Sequence, residues 1–146
     1  MWAALKNVQA NVANNGKIFI ALYNNQGGAS KRWLTIKKIY NKIPESLKGV
    51  FAFAVYLPLE TRSFLIHLVR GKPFIYFDYI KNYKKQGGRG MSWWHDKIDW
   101  IGGFPFEVSK PEEIFSFYRK NGFTLCVLKT CAGGLGCNEY VFQHNG

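Results

Sequence analysis

Apolar residues recur at helical spacing from the second position of the chain. Trp2, Leu5, Val8 and Val12 predict an amphipathic helix over 2–13. NNG at 14–16 stops it, with Gly16 placed to take the left-handed position after the helix. Residues 17–23, KIFIALY, are apolar almost throughout and predict a buried strand of the central, parallel kind. The loop NNQGGAS follows, with Ser30 as the expected cap of the next helix. Trp33, Ile36, Ile39, Tyr40 and Ile43 give that helix its apolar stripe, and Pro44 ends it. Residues 46–70 are apolar and read as helix, broken near Pro58. From 71 to 106 the glycines and prolines of GKP, GGRG and IGGFPF predict short helices and loops.

Regularity returns at Ser109. SKPE places Ser and Glu at capping-box spacing, with Pro111 in the first turn. Ile114, Phe115, Phe117 and Tyr118 supply the apolar face of a helix that NG at 121–122 stops. FTLCVLKT, 123–130, and EYVFQ, 139–143, predict two strands. The order is helix, strand, a long mostly helical stretch, helix, strand, loop, strand. A helix feeding a buried strand is the repeating half-unit of an α/β fold.

The 146 residues amount to one domain's length, with a net charge of +11. That charge favours anionic partners such as nucleic acid, acidic headgroups or phosphorylated substrates, and a solvated basic face accounts for it equally. No secretory signal opens the chain, and the cysteines, Cys126, Cys131 and Cys137, are odd in number. The expectation is a cytoplasmic protein with free thiols. No uninterrupted apolar run reaches the roughly 18 residues a bilayer span needs.

Three long stretches carry a resemblance. They are MWAALKNV…NNGKIFIALYNNQGGASKRWLTIKKIYNKIP, RGMSWWHDKIDWIGGFPFEVSKPEEIFSFYRKNGF and LKTCAGGLGCNEYVF. Together they resemble the C-terminal part of bacterial class I, Rossmann-like methyltransferases that use S-adenosylmethionine (SAM), relatives often grouped loosely with quinone-type methylases. The resemblance implies a sheet of order 3-2-1-4-5-7-6 with an antiparallel seventh strand. Residues 17–23, 123–130 and 139–143 would be strands five, six and seven. Residues 1–30 and 107–146 would belong to the core, and 31–106 would be a helical insertion or lid over the substrate.

In that class SAM is held by a glycine turn after the first strand and an acidic residue ending the second. No G-x-G-x-x-G or similar turn follows a strand at the start of this sequence, and Met1 opens directly into a helix. The expectation is therefore a fragment, or one half of a split enzyme, with no cofactor-binding residues of its own. It would supply the acceptor-side wall and lid for a small-molecule methyl acceptor, and would be inactive alone.

Candidate chemistry falls in three places. Tyr23, Asn24, Asn25 and Gln26 lie at the carboxyl end of a strand, where open α/β sheets bind ligands; the same residues also make an ordinary polar turn. In MSWWHDKIDWIGG, His95 and Asp99 stand four apart on one helix face and could form a general base, with Trp93 and Trp94 as substrate walls. A tryptophan-rich packing segment with a surface histidine reads the same way. No metal-ligand spacing accompanies them.

The third place is KTCAGGLGCNEY, 129–140. A reducing compartment argues against a disulfide there, two thiols do not complete a zinc site, and phosphate loops lead into helices rather than strands. It is then the connection between the last two strands, beside the rim of the site, with Lys129, Thr130, Asn138 and Glu139 as candidate acceptor contacts.

The competing reading is non-enzymatic: a basic α/β module that binds an anionic partner or assembles with another chain. An exposed sheet edge would then drive self-association. The basic stretches 31–42 and 81–89 come without a nucleic-acid-binding signature. A membrane-surface reading joins the basic helix to the apolar 50–69, although core packing explains the same residues. His67 reads as a structural histidine and His144 as an exposed one.

Overall fold

The computed structural model describes residues 1–86 and 90–146. The last three residues of the basic stretch 81–89 therefore lie outside the described residues. In chain order the elements are α1 (Trp2–Gln9), β1 (Lys17–Asn24), α2 (Gly28–Tyr40), α3 (Glu45–Val69), α4 (Pro73–Gln86), α5 (Trp93–Gly102), β2 (Val108–Ser109), α6 (Pro111–Lys120), β3 (Phe123–Lys129) and β4 (Cys137–His144). They divide into two compact units, Met1–Trp33 with Pro105–Gly146, and Leu34–Phe104.

The first unit is α/β. Its mixed four-stranded sheet has the order β2-β1-β4-β3. β4 is antiparallel to both β1 and β3, so β1 and β3 point the same way. β2 pairs parallel with β1 at Tyr23 and Asn24 alone. Along Lys17–Leu22 the outer edge of β1 carries no strand among the described residues.

One face of the sheet is covered. Leu5 of α1, with Ile114 and Tyr118 of α6, packs on Ile18, Ile20, Phe123, Tyr140 and Phe142. Tyr118 stacks on Phe142 with ring centroids 4.5 Å apart. Burial of this core holds the Tyr118 hydroxyl above its ordinary range, at about 12. The opposite face is not covered in this way. β1 alternates, with Ile18 and Ile20 in and Lys17, Phe19 and Ala21 out, and Phe19 is 64% exposed. This corrects the expectation of a strand buried on both faces: the outward positions are apolar in composition but not in environment. Phe19, Val141 and Val127 form an apolar row across three strands on that face. A bulge between Leu125 and Val127 leaves Cys126 as the extra residue of β3.

The helix ends depart from expectation in detail. α1 closes earlier than residue 13, and Asn15, not Gly16, takes the left-handed conformation (φ 60°). Gly16 is needed for space instead, since a Cβ there would stand 2.8 Å from the Ala13 carbonyl oxygen. The N-cap of α6 is Lys110 rather than Ser109. Its backbone N–H donates to the Glu113 carboxylate at 2.9 Å, while Ser109 is buried in β2. Ser30 does not cap α2 either: the helix begins at Gly28, and the Ser30 hydroxyl accepts from the Gln26 N–H at 2.8 Å.

The second unit is helical. α3 runs through Pro58 without a break. Pro58 and the neighbouring Ala54 are exposed, so the carbonyl that loses its intrahelical donor lies on the solvent side, where loosened helix bonds are tolerated. After α3 the Lys72 N–H donates to the His67 carbonyl and the Gly71 N–H to the Leu68 carbonyl, both at 2.9 Å, with Gly71 at φ 68°. That is the six-to-one and five-to-two closure of a glycine-terminated helix. Pro73 then opens α4. GKP is thus the seam between two long helices. The segment expected to be short helices and loops is largely two regular ones, α4 and α5.

α3 is the one helix among the described residues that is long and apolar enough to cross a membrane by length and composition, and 11% of its most apolar window is buried.

Candidate functional site

In the first unit the chain brings the end of β1 onto the glycine loop. The Asn24 N–H donates to the Gly136 carbonyl at 2.9 Å, and its side-chain amide to the Gly134 carbonyl at 3.4 Å. The Gln26 amide donates to the Gly133 carbonyl at 2.6 Å. Asn138, fully buried, donates to Asn24 Oδ1 at 3.1 Å and accepts from the Cys131 N–H at 3.1 Å. Ala132 and Gly133 adopt positive φ, and a Cβ on Gly136 would stand 3.2 Å from the Cys131 Cβ, a tight approach. Asn24, Gln26 and Asn138 are therefore brought together, and their polar groups are engaged in seating the loop.

The neighbouring candidates behave differently. Asn25 accepts from the Gly27 N–H at 2.9 Å, an Asx turn. The Tyr23 ring lies 5.2 Å from that of Phe106. Lys129 and Glu139 are cross-strand partners on the uncovered face, with Nζ and Oε2 3.6 Å apart, and Thr130 is exposed beyond β3. Burial pushes the Cys137 thiol up, with Cys131 and Glu139 adding to it; all three cysteines are free. His144 is half-buried against Phe123, ring centroids 4.7 Å apart, rather than exposed.

In the second unit a cavity of about 440 Å³ is walled by Phe53, Tyr56, Leu57 and Glu60 of α3, Tyr76 of α4, and Trp93 and Trp94 of α5. Its size suits a small organic ligand. The floor is polar. Glu60 accepts from the Tyr76 hydroxyl at 2.8 Å and pairs with Lys97 Nζ at 2.5 Å. Lys97 also stands over the rings of Tyr56 (4.6 Å) and Trp93 (4.7 Å), so two aromatic faces and one carboxylate share its charge. The Tyr56 hydroxyl donates to the Lys97 carbonyl at 3.0 Å. Burial, then the Glu60 hydrogen bond, raises the Tyr76 hydroxyl to about 12; burial, with Asp96 and Glu60 nearby, pushes Tyr56 higher still. Both phenols stay neutral donors at any ordinary pH. Apolar, stackable walls with one carboxylate among them suit a flat, largely apolar ligand with one polar group.

Trp93 and Trp94 thus line the cavity, while His95 and Asp99 do not. The His95 ring is exposed, its Nδ1 2.6 Å from Ser92 Oγ at the cap of α5. No hydrogen bond or ion pair joins it to Asp99 among the described residues. Asp99 acts instead on Lys37. That lysine is buried, donates to the Trp100 carbonyl, and stands 4.2 Å over the Trp100 ring. Burial lowers its pKa to about 8, with Asp99 pulling the other way.

Tyr56, Glu60, Tyr76, Lys97 and Lys37 were not among the residues singled out from sequence. Glu60 carried one signal, as the only acid in the apolar run 46–70. Lys37 carried none, being one of several lysines in a basic stretch.

The glycine-bearing turn that leads from β1 into α2 has its N–H groups engaged: Asn25 donates to the Ser109 carbonyl, Gln26 to Ser30, and Gly27 to Asn25. These three N–H groups are thus not available to the carboxylate or ribose of SAM. Among the described residues no cluster of three or more His, Cys, Asp or Glu could hold a metal ion. No protein-family model, curated protein or solved structure matches the chain.

Proposed function

We propose that this chain is the C-terminal part of a class I SAM-dependent methyltransferase and supplies its acceptor-side wall. The observation that supports this reading is the arrangement β1-β4-β3, in which the last strand of the chain runs antiparallel between two strands of one direction. Such a pattern corresponds to strands five, seven and six of the class. The outer edge of β1 then has a natural occupant, a parallel strand four from the cofactor-binding part. β2 holds only the last two positions of that edge.

In this reading the aromatic cavity takes the methyl acceptor. Trp93 and Trp94 stack on it, and Glu60 and Tyr76 meet its polar end. Alignment and exclusion of water are most of what methyl transfer asks of an acceptor wall. The coding sequence upstream of Met1 tests the reading. A strand, a glycine turn and a helix in frame are expected, and an in-frame stop codon close by would count against it.

The alternative is a stand-alone basic module. The edge of β1 along Lys17–Leu22, unpaired among the described residues, and the apolar row Phe19, Val141, Val127, exposed at both ends, favour it, since both invite assembly with another chain.

A further inference from the structure

We propose that the α3–α4 hairpin of the helical unit docks on an anionic lipid surface. α3 has an inner face, with Ala52 buried and Tyr56 and Glu60 bonded to α5 and α4. Beside it runs a stripe of Val50, Phe53, Leu57, Leu65 and Leu68, all exposed, with Thr61 in the gap; Phe53 and Leu57 also border the aromatic cavity. These fall at steps of three, four, four, four and three, a stripe on one side of the helix over five turns. The stripe runs on to the hairpin turn, where Val69 is 87% and Phe74 78% exposed. Ile75 and Phe77 continue it on α4, and Phe64 links the helices, its ring 5.7 Å from Phe77. A groove of about 750 Å³ follows α3 between Leu57 and Arg70.

Charge identifies the occupant. The only charged residues lining that groove are Arg62 and Arg70. Lys72 stands in the turn, and exposed Lys81, Lys84 and Lys85 follow on α4. Residues 34–104 contain twelve Lys and Arg against five Asp and Glu. Two of those acids are engaged inward, Glu60 by Lys97 and Tyr76, and Asp96 by Tyr83. An apolar turn bordered by arginines and followed by lysines matches the depth profile of a headgroup layer over acyl chains. A second copy of this hairpin would bring like charges together. A membrane-crossing α3 is disfavoured by its inner face, where Glu60 is held by α4 and α5 rather than by lipid. The inference does not depend on the methyl-transfer reading.

The test is co-sedimentation of the chain with phosphatidylcholine vesicles, with and without about one-third phosphatidylglycerol, at near-physiological salt. Binding to the anionic vesicles, weakened by added salt, is expected. The triple variant Leu65→Ser, Val69→Ser, Phe74→Ser keeps the net charge and alters exposed side chains only, so circular dichroism should be unchanged. Its partitioning should fall roughly tenfold or more, since three apolar side chains no longer enter lipid. In a separate Phe74→Trp variant, brominated acyl chains should quench the added emission. Undiminished binding by the triple variant would overturn the proposal, because adsorption would then follow net charge alone. Absence of binding to anionic vesicles, alone or with a dimer that the triple variant abolishes, would overturn it as well.

Discussion

Asn138 donates to Asn24 at 3.1 Å, tying the start of β4 to the end of β1 across 114 residues of sequence. Its oxygen takes the Cys131 N–H, so one buried amide fixes both ends of the glycine loop. Asn138→Ala should cost about 1–3 kcal/mol, because it strands a buried donor and acceptor. Urea unfolding followed by circular dichroism measures it. Gln26→Ala, at an exposed contact to the same loop, should cost about 1 kcal/mol or less. Equal, negligible effects at both positions would contradict the seating role of Asn138.

Glu60, which lines the aromatic cavity, forms a largely buried pair with Lys97. Glu60→Ala leaves the Lys97 ammonium and the Tyr76 hydroxyl without their acceptor and should destabilise the helical unit by about 2–3 kcal/mol. Lys97→Met should cost less, since Glu60 keeps the Tyr76 hydrogen bond. In a double-mutant cycle the two changes should fall clearly short of additivity. Additive losses would mean that the pair is not an energetic unit.

Lys37 gives a pH signature. Its folded-state pKa of about 8 lies below the ordinary lysine value of 10.5. Between those values the unfolded chain binds a proton that the folded chain does not, so stability contributed at this site rises as pH goes up through that window. Tyr76 and Tyr118, raised to about 12, act oppositely, but only above their ordinary value of 10. The difference in thermal midpoint between the wild type and Lys37→Met should therefore move in favour of the wild type from about pH 8 to pH 10. A flat difference would mean that Lys37 is not held below its ordinary range.

Phe19 stands exposed on the stretch of β1 whose outer edge carries no strand among the described residues. Concentration-dependent self-association is expected of the chain by itself, read by light scattering after size exclusion. Phe19→Lys should reduce it without loss of secondary structure, because a charge there blunts both the apolar row and the edge. A monomeric wild type at high concentration would contradict this.

What could be read from the sequence depended on whether the signal was local. β3, β4 and α6 each announce themselves by apolar periodicity between turn residues. β1 was found as a strand, yet Phe19 and Ala21 made it look two-sided; composition does not reveal that a face lacks a covering layer. Pro58 looked like a break because the cost of an interior proline depends on where the freed carbonyl points. Gly71 and Pro73 looked like disorder of pattern but are a helix stop and a helix start set back to back. In the cavity, Trp93 and Trp94 stood out by residue type. Glu60, Tyr76 and Lys97 acquire their role from partners on other helices, which no spacing along one segment encodes. His95 and Asp99 had suitable spacing, but the Ser92 cap holds the His95 ring.

The most direct test of the methyltransferase account is calorimetric titration of SAM into two proteins: residues 1–146, and the product of the complete reading frame that contains them. The account predicts no binding by residues 1–146, whose turn amides are already engaged, and micromolar binding by the complete product. Micromolar binding by residues 1–146, or none by the complete product, would contradict it.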